Sequence, residues 1–336
     1  MELNTVTLGD FVQLADIIFE KQKQSLMQPM LKSGMFVVDD IPMNSGNIRE
    51  YSEIDLEEYA SRKPEGAQAV RGKVQEGYQK FLSSYRIAKD IGITYEMRTQ
   101  NKYPEVVRRL TNLSNLAMNR RELDLTHRFT FGLSTAYTDQ DGVSVDVSLG
   151  DTLALWSTVH TLKGTAATYR NRLANNPQFS RGALEGMESE IVTNTVNQFG
   201  QKVTIPFDVL WTSDDPNTIN TVREFLRSSA SVDPGENAGV INVYKGKYRH
   251  VVLDRLATDA FGNPDTTKTK YWGLVSTLYS TGHIDIWEEA HLKVPSNLNA
   301  GEEFSTDDWN FGVRAGYGIC IVNGFWCHMS SGDATP

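Results

Sequence analysis

Residues Ser83–Met97 read SSYRIAKDIGITYEM. The odd positions carry Tyr85, Ile87, Lys89, Ile91, Ile93, Tyr95 and Met97, the even ones Arg86, Ala88, Asp90, Gly92, Thr94 and Glu96. Alternation of this kind sets one side of a strand against an apolar surface and the other in water. At a rise of about 3.3 Å per residue the run reaches on the order of 50 Å, whereas ordinary strands stop at about five or six residues. A ribbon of that length overshoots the core of a small domain. Its apolar face is therefore expected to be covered by another copy of the chain, with Ile87, Ile91, Ile93 and Tyr95 in the contact.

On its N-terminal side the ribbon reads as the return leg of a charged excursion over residues 46–100. The outgoing leg, IREYSEIDLEEYA (48–60), is strand-like around Ile54 and Leu56. Between the legs, ASRKPEGAQAVRGKVQEG (60–77) holds Pro64, Gly66, Gly72 and Gly77 and almost nothing apolar, which marks a mobile hairpin tip. The excursion is expected to be mobile in an isolated subunit and ordered in an assembly. Before it, Phe11, Leu14, Ala15 and Ile18 form one side of an amphipathic helix, with Lys21 and Lys23 near its C-terminal end, where the helix dipole favours cations. The stretch SGMFVVDDIPMNSG (33–46) follows and ends in turn-formers. Residues 1–45 offer too little apolar surface for a core of their own. They are expected to form an arm that docks on an adjoining subunit through Phe11, Leu14 and Ile18.

After the ribbon, Pro104 suits the first turn of a helix, and Val106, Leu110, Leu113 and Ala117 fall on one stripe. Run to about Leu123, that helix would be roughly 30 Å long. HRFTFGLSTAYT (127–138) is strand-like, and Asp141-Gly142 predicts a turn before VSVDVSL (143–149). Ser180 is an N-cap candidate, Phe179 and Leu184 can form a hydrophobic staple, and Gly200 is the expected stop. A strand within VTIPFDVLW (203–211) leads to Asp215 as cap and Pro216 as first helical residue, with Ile219, Val222, Phe225 and Leu226 as the apolar face. VINVYKG (240–246), YRHVVLDRL (248–256) and a run from Tyr271 are strand-like, and WNFGVRAGYGICIVNGFWCHM (309–329) is strand-rich. Within it, Asn323-Gly324 between apolar runs predicts a hairpin that sets Cys320 opposite Cys327, both as free packed thiols.

Composition limits the function. Of 336 residues 40% are hydrophobic and 22% charged, a globular profile that suggests two domains or one with large excursions. No apolar stretch is long enough to span a membrane, and MELNTVTLGDF lacks the pattern of a secretory signal. With 33 Lys and Arg against 42 Asp and Glu the net charge is -9, so a principal role in gripping phosphate backbones is disfavoured. Arg108-Arg109 and Arg120-Arg121 read as helix-face charge or ion-pair partners. Glu288 and His291 have Glu-x-x-His spacing, but the surrounding GHIDIWEEAHLKV alternates like a strand, which points them to opposite faces. Asp139, Asp141 and Gly142 read as a hairpin turn, because Tyr137 and Ser148 stand where a calcium loop needs acids. No GK[ST] loop, GxSxG elbow, HExxH or CxxC is present. No catalytic residue, metal or cofactor is expected.

The order of parts resembles the major capsid proteins of tailed bacteriophages, whose fold encapsulins share. LANNPQFSRGALEGM (173–187), PFDVLWTSDDPNTINTVREFLRS (206–228), VINVYKGKYRHVVLDRL (240–256) with Tyr271-Trp272, and NFGVRAGYGICIVNGFW (310–326) are similar to that family's body. The resemblance implies an α+β capsid fold with an N-terminal arm (1–45), an extended hairpin loop (46–103), a peripheral domain with a spine helix (104–179, closed by 301–336) and an axial domain (180–300). It implies hexamers and pentamers of an icosahedral shell, assembled in a host cytoplasm around double-stranded DNA held without sequence specificity. With about 45 residues before the hairpin, a separate scaffold protein is expected, and as a separate expectation the N-terminal segment stays in place during maturation. A portal and decoration proteins are the further partners implied. Some relatives cross-link lysine to asparagine. Lys73 and Lys80 lie near the hairpin tip, but spacing does not establish that chemistry. An encapsulin-type nanocompartment is the alternative on the same fold, and a metal-dependent enzyme using Glu288 and His291 the alternative of another class.

Overall fold

A computed structural model describes residues 13, 15–23, 28–40, 48–56, 59–100, 103–229, 241–294 and 308–334. In chain order, α1 (residues 15–23) and α2 (Pro29–Lys32) precede strand β1 (Val37–Asp40). The hairpin strands β2 (Ile48–Leu56) and β3 (Val74–Ser83) are followed by β4 (Tyr85–Ile93), α3 (Tyr95–Thr99) and the long helix α4 (Tyr103–Thr130). Short strands β5 (Ala136–Thr138), β6 (Ser144–Asp146), β7 (His160–Thr161) and β8 (Thr168–Tyr169) lead to α5 (Arg181–Asn194), β9 (Val209–Thr212) and α6 (Pro216–Arg227). The chain closes through β10 (Arg249–Val252), β11 (Trp272–Val275), β12 (Gly282–Lys293), β13 (Trp309–Ile321) and β14 (Cys327–Ser330). Two four-stranded mixed sheets, β1-β12-β13-β4 and β10-β9-β11-β14, carry the body.

The ribbon that opened the sequence is divided at Ser84 and stops at Ile93. β3 ends at Ser83, β4 starts at Tyr85, and Tyr95 already begins α3. β4 pairs antiparallel with β13 from Trp309↔Ile93 to Tyr317↔Tyr85, so it is an edge strand of the chain's own sheet. Its apolar side has a cover within the chain: Ile93 is buried with Val106, Leu110, Leu113 and Ala117 of α4 and Phe311 and Val313 of β13, and Ile87 and Ile91 pack against the same group. The expectation that only a second copy could cover this face is corrected. The return leg of the hairpin is β3, not residues 83–97.

α4 starts where proline allows but runs seven residues beyond Leu123, to Thr130, so it spans about 42 Å at 1.5 Å per residue. HRFT belongs to it, because Leu125 and Phe129 continue the buried stripe into the core between the two sheets. Arg120 reads in the sequence as helix-face charge or an ion-pair partner, and its partner Asp124 is only 4% exposed. It accepts hydrogen bonds from the hydroxyls of Tyr85 (2.8 Å) and Tyr317 (2.7 Å) and from Arg120 Nε (2.9 Å), tying α4 to β4 and β13.

Ser180 caps α5 by accepting from the Ala183 N–H at 3.2 Å, and Asp215 caps α6 from Thr218 with Pro216 in its first turn. Both caps stand where the sequence places them. Ser180→Ala is expected to cost about 1 kcal/mol, measured as a shift in urea midpoint at constant slope. α5 ends at Asn194 rather than at Gly200, which instead supplies a left-handed turn residue (φ 76°) in the loop beyond. The hairpin predicted at Asn323-Gly324 is absent, because β13 pairs with β12 and β4 while β14 crosses to pair with β11. Cys320 and Cys327 are free and buried, and burial pushes the Cys320 thiol up to about 12. The 240–246 run is a turn, not a strand, at the residues described.

Candidate assembly surfaces

Among the described residues the largest exposed apolar side chains of one projecting element lie on the hairpin β2–β3, so the candidate site is the hairpin and its root. β2 and β3 pair from Ile48↔Ser83 to Leu56↔Val74, with a register shift between Ser52 and Ile54. Strand alternation sends Tyr51, Glu53 and Asp55 towards the body and Ile48, Glu50, Ser52 and Ile54 away from it.

At the root, Leu82 of β3 is 2% exposed and lies over Gly318 of β13. A Cβ at residue 318 would stand 2.3 Å from Leu82 Cδ2, so glycine there is what lets the hairpin sit close. Glu53 accepts from Asn323 Nδ2 at 2.9 Å and Gln198 Nε2 at 3.0 Å, and Asp55 accepts the Gln198 backbone N–H at 2.9 Å. The Tyr51 hydroxyl is within reach of both Asp39 (2.9 Å) and Asp285, and its ring stacks on His283 with centroids 4.0 Å apart. A cleft of about 510 Å³ remains between root and body, lined by Tyr51, Glu53, Tyr279, Thr281, Val322 and Phe325. Burial, then the charge of Asp55, pushes the Glu53 carboxyl up to about 7. Burial likewise raises Asp285.

The outward face of the same hairpin is apolar. Ile48 is 68% exposed, Ile54 60%, Val74 61% and Phe81 62%. Four large side chains on one face of a two-stranded projection are what a neighbouring protein would bury. In the sequence Val74 falls to the polar tip 60–77 and neither Ile48 nor Phe81 is singled out, because the return leg is β3 rather than residues 83–97. The alternation of Tyr78, Lys80 and Leu82 against Gln79, Phe81 and Ser83 was the available signal.

The contact residues expected from the sequence fall in different places. Phe11 and Leu14 lie outside the described residues. Ile18 is half-buried beside Ala15 and Phe19, which are buried against the chain's own α4 core, so this part of the arm packs on its own body. Ile87 and Ile91 are half-buried and Ile93 is 1% exposed, whereas Tyr95 is 51% exposed at the start of α3. Arg109, Arg120 and Arg121 are committed to ion pairs within the chain, Arg120 to Asp124, Asp139 and Asp141 together. The Asp139–Val143 turn is the expected hairpin, closed by the Asp139 carboxylate accepting from the Asp141 and Val143 N–H groups. Register shifts in β12 bring His291 Nε2 to 3.7 Å from Glu288 Oε1, contrary to the opposite-face expectation, and Arg86 pairs with Glu288 at 2.8 Å. Among the described residues no group of His, Cys, Asp and Glu could hold a metal ion, and no helix is long and apolar enough to cross a membrane.

No protein-family model matches the sequence, and no curated protein resembles it in sequence. Solved structures do resemble the fold. The capsid structure of the cyanophage P-SCSP1u aligns over 89% of this chain and 86% of its own with a TM-score of 0.51 at 8% identity. A structure from Mycobacterium phage Adephagia aligns over 93% and 92% with a TM-score of 0.50 at 10% identity. A virus-like particle from Pyrococcus furiosus aligns over 95% and 98% at 13% identity with a TM-score of 0.48, a likeness too distant to bear on function. The long helix, the projecting hairpin and the two mixed sheets together are the α+β fold of phage major capsid proteins.

Proposed function

We propose that the chain is a major capsid protein that self-assembles into hexamers and pentamers of an icosahedral shell around double-stranded DNA. The observation that carries the reading is the hairpin. It projects Ile48, Ile54, Val74 and Phe81 into solvent from a body with a phage capsid fold, and a second copy is the surface such a fold supplies to cover them. The protein's location is then the virion capsid. Its role is structural rather than catalytic, and its partners are copies of itself, with a separate scaffold, a portal and decoration proteins as further candidates. Assembly in a host cytoplasm belongs to the same reading.

In these terms residues 1–45 are the arm, 46–103 the extended hairpin loop, 104–179 with 301–336 the peripheral domain and 180–300 the axial domain. β12 pairs with β13, whose other neighbour is β4, and so joins the peripheral sheet in this reading. Phe11 and Leu14 dock the arm on an adjoining subunit, Ile18 sits where the arm is held to its own body, and Tyr95 meets a neighbour. Ile87 and Ile91 contribute by holding β4 against α4. Net charge of -9 suits a container that encloses DNA without gripping it.

Particles purified from the native source are expected to hold nuclease-protected double-stranded DNA. Particles filled instead with one folded protein would assign the chain to encapsulin-type nanocompartments.

A further inference from the structure

The hairpin root gathers carboxylates faster than it neutralises them. Glu53 and Asp55 enter from β2, and Asp39 and Asp285 flank Tyr51 on the same strand. Glu53 is faced by Asp55 and Tyr51 from its own strand, by Gln198, Asn323, Asp151 and Tyr169 from the body, and by His283 across the cleft. The basic side chains nearby reach groups other than Glu53 and Asp55. Lys80 pairs with Asp146 at 2.6 Å and Lys163 reaches the Gly77 carbonyl at 3.4 Å, while at the root itself Arg49 stands 3.9 Å from Asp285, His283 Nδ1 lies 3.1 Å from Asp39 and His160 Nδ1 lies 2.8 Å from Asp151. Glu53 and Asp55 are thus held by amides and not by cations, and their mutual repulsion falls on the contact that seats the hairpin.

We propose that the hairpin root is a proton-operated latch. Protonated Glu53 seats the hairpin on its own body; ionised Glu53 frees it to lie on a neighbouring subunit. The second half rests on the shell reading, and the first half does not.

The sign follows from linkage. Seating raises Glu53 from its ordinary 4.5 to about 7, so the seated state binds the proton more tightly. Seating is fully favoured below the lower value and is lost as pH rises through the upper one. Between them the seating constant falls by up to tenfold per pH unit, since one pKa unit corresponds to a tenfold change.

The Gln198 backbone amide reports seating directly, because its N–H is capped by Asp55. Hydrogen exchange of the peptide that contains it should be followed in the full-length chain at pH 5.5 and 8, corrected for intrinsic rates, with α4 amides as the folding reference. Protection should drop at least tenfold at pH 8 in the wild type while α4 is unchanged, and Glu53→Gln should stay protected at both. Equal protection at both pH values, or wild-type pH dependence in Glu53→Gln, would overturn the latch. Should Glu53→Gln not fold, Asp55→Asn carries the test through the seated side chain of Glu53 alone. Removing the neighbouring charge should move the transition to lower pH, and an unmoved transition counts against the proposal. Light scattering on the same samples separates the two readings: a working latch without assembly at either pH would refute the shell and leave the latch standing.

Discussion

A chain carrying Ile54→Asp and Phe81→Asp is expected to fold normally and fail to assemble. Both side chains are mostly exposed in the single chain, so exchanging them should change its own stability by no more than about 0.5 kcal/mol. In a shell each would be buried against a neighbour, and full burial of a side chain of this size is worth about 1.5–3 kcal/mol. The new carboxylates would also have to be desolvated without a partner. Loss of two such contacts per subunit raises the concentration needed for assembly by at least about 100-fold, the factor that about 2.7 kcal/mol represents. Sedimentation velocity would read the loss of fast-moving species, and circular dichroism the intact fold. Ile93→Asp serves as the contrast. At 1% exposure inside the chain's own core it should unfold the protein, whereas a soluble, folded, assembly-defective Ile93→Asp would restore the intersubunit ribbon.

Asp124→Ala is expected to be the most damaging polar substitution in the body, at about 3–5 kcal/mol. The carboxylate is shared by two tyrosine hydroxyls and a guanidinium, and Tyr317 is itself 1% exposed. Its removal strands the hydroxyls without an acceptor and leaves Arg120 with only Asp139 and Asp141. Burial, added to the charge of Asp124, pushes both tyrosine pKa values well above their ordinary range, so these hydroxyls remain protonated donors throughout the neutral range. Asp124→Asn keeps an acceptor and should recover about half of the loss. Urea unfolding at pH 7 separates the three proteins, and a cost below about 1 kcal/mol for Asp124→Ala would show that α4 is held by its apolar stripe alone.

Local signals in the sequence were legible wherever one residue does one job. Ser180, Asp215 and Pro216 mark helix starts because an orphan N–H needs an acceptor and proline lacks one to offer. The stripe Val106, Leu110, Leu113 and Ala117 is buried as its spacing requires. What the sequence withheld was pairing over long separations. Alternation in 85–93 is the same whether the covering surface is a neighbour or the chain's own α4, and nothing local says that Trp309 lies opposite Ile93. The Asn323-Gly324 signal failed for the same reason: β11 offers β14 a longer-range partner that outcompetes the local hairpin. At the hairpin the period of Tyr78, Lys80 and Leu82 is present, but Gly72 and Gly77 just before it make the stretch read as the end of a turn-rich tip. The order of elements, by contrast, was enough to indicate the capsid fold.

The most direct test of the account is electron microscopy, with mass photometry, of the full-length chain expressed in soluble form and concentrated into the micromolar range. Rings of five or six subunits, or closed shells with five-fold vertices, are the expected result. A protein that stays monomeric at every concentration, with its hairpin face still open to solvent, would contradict it.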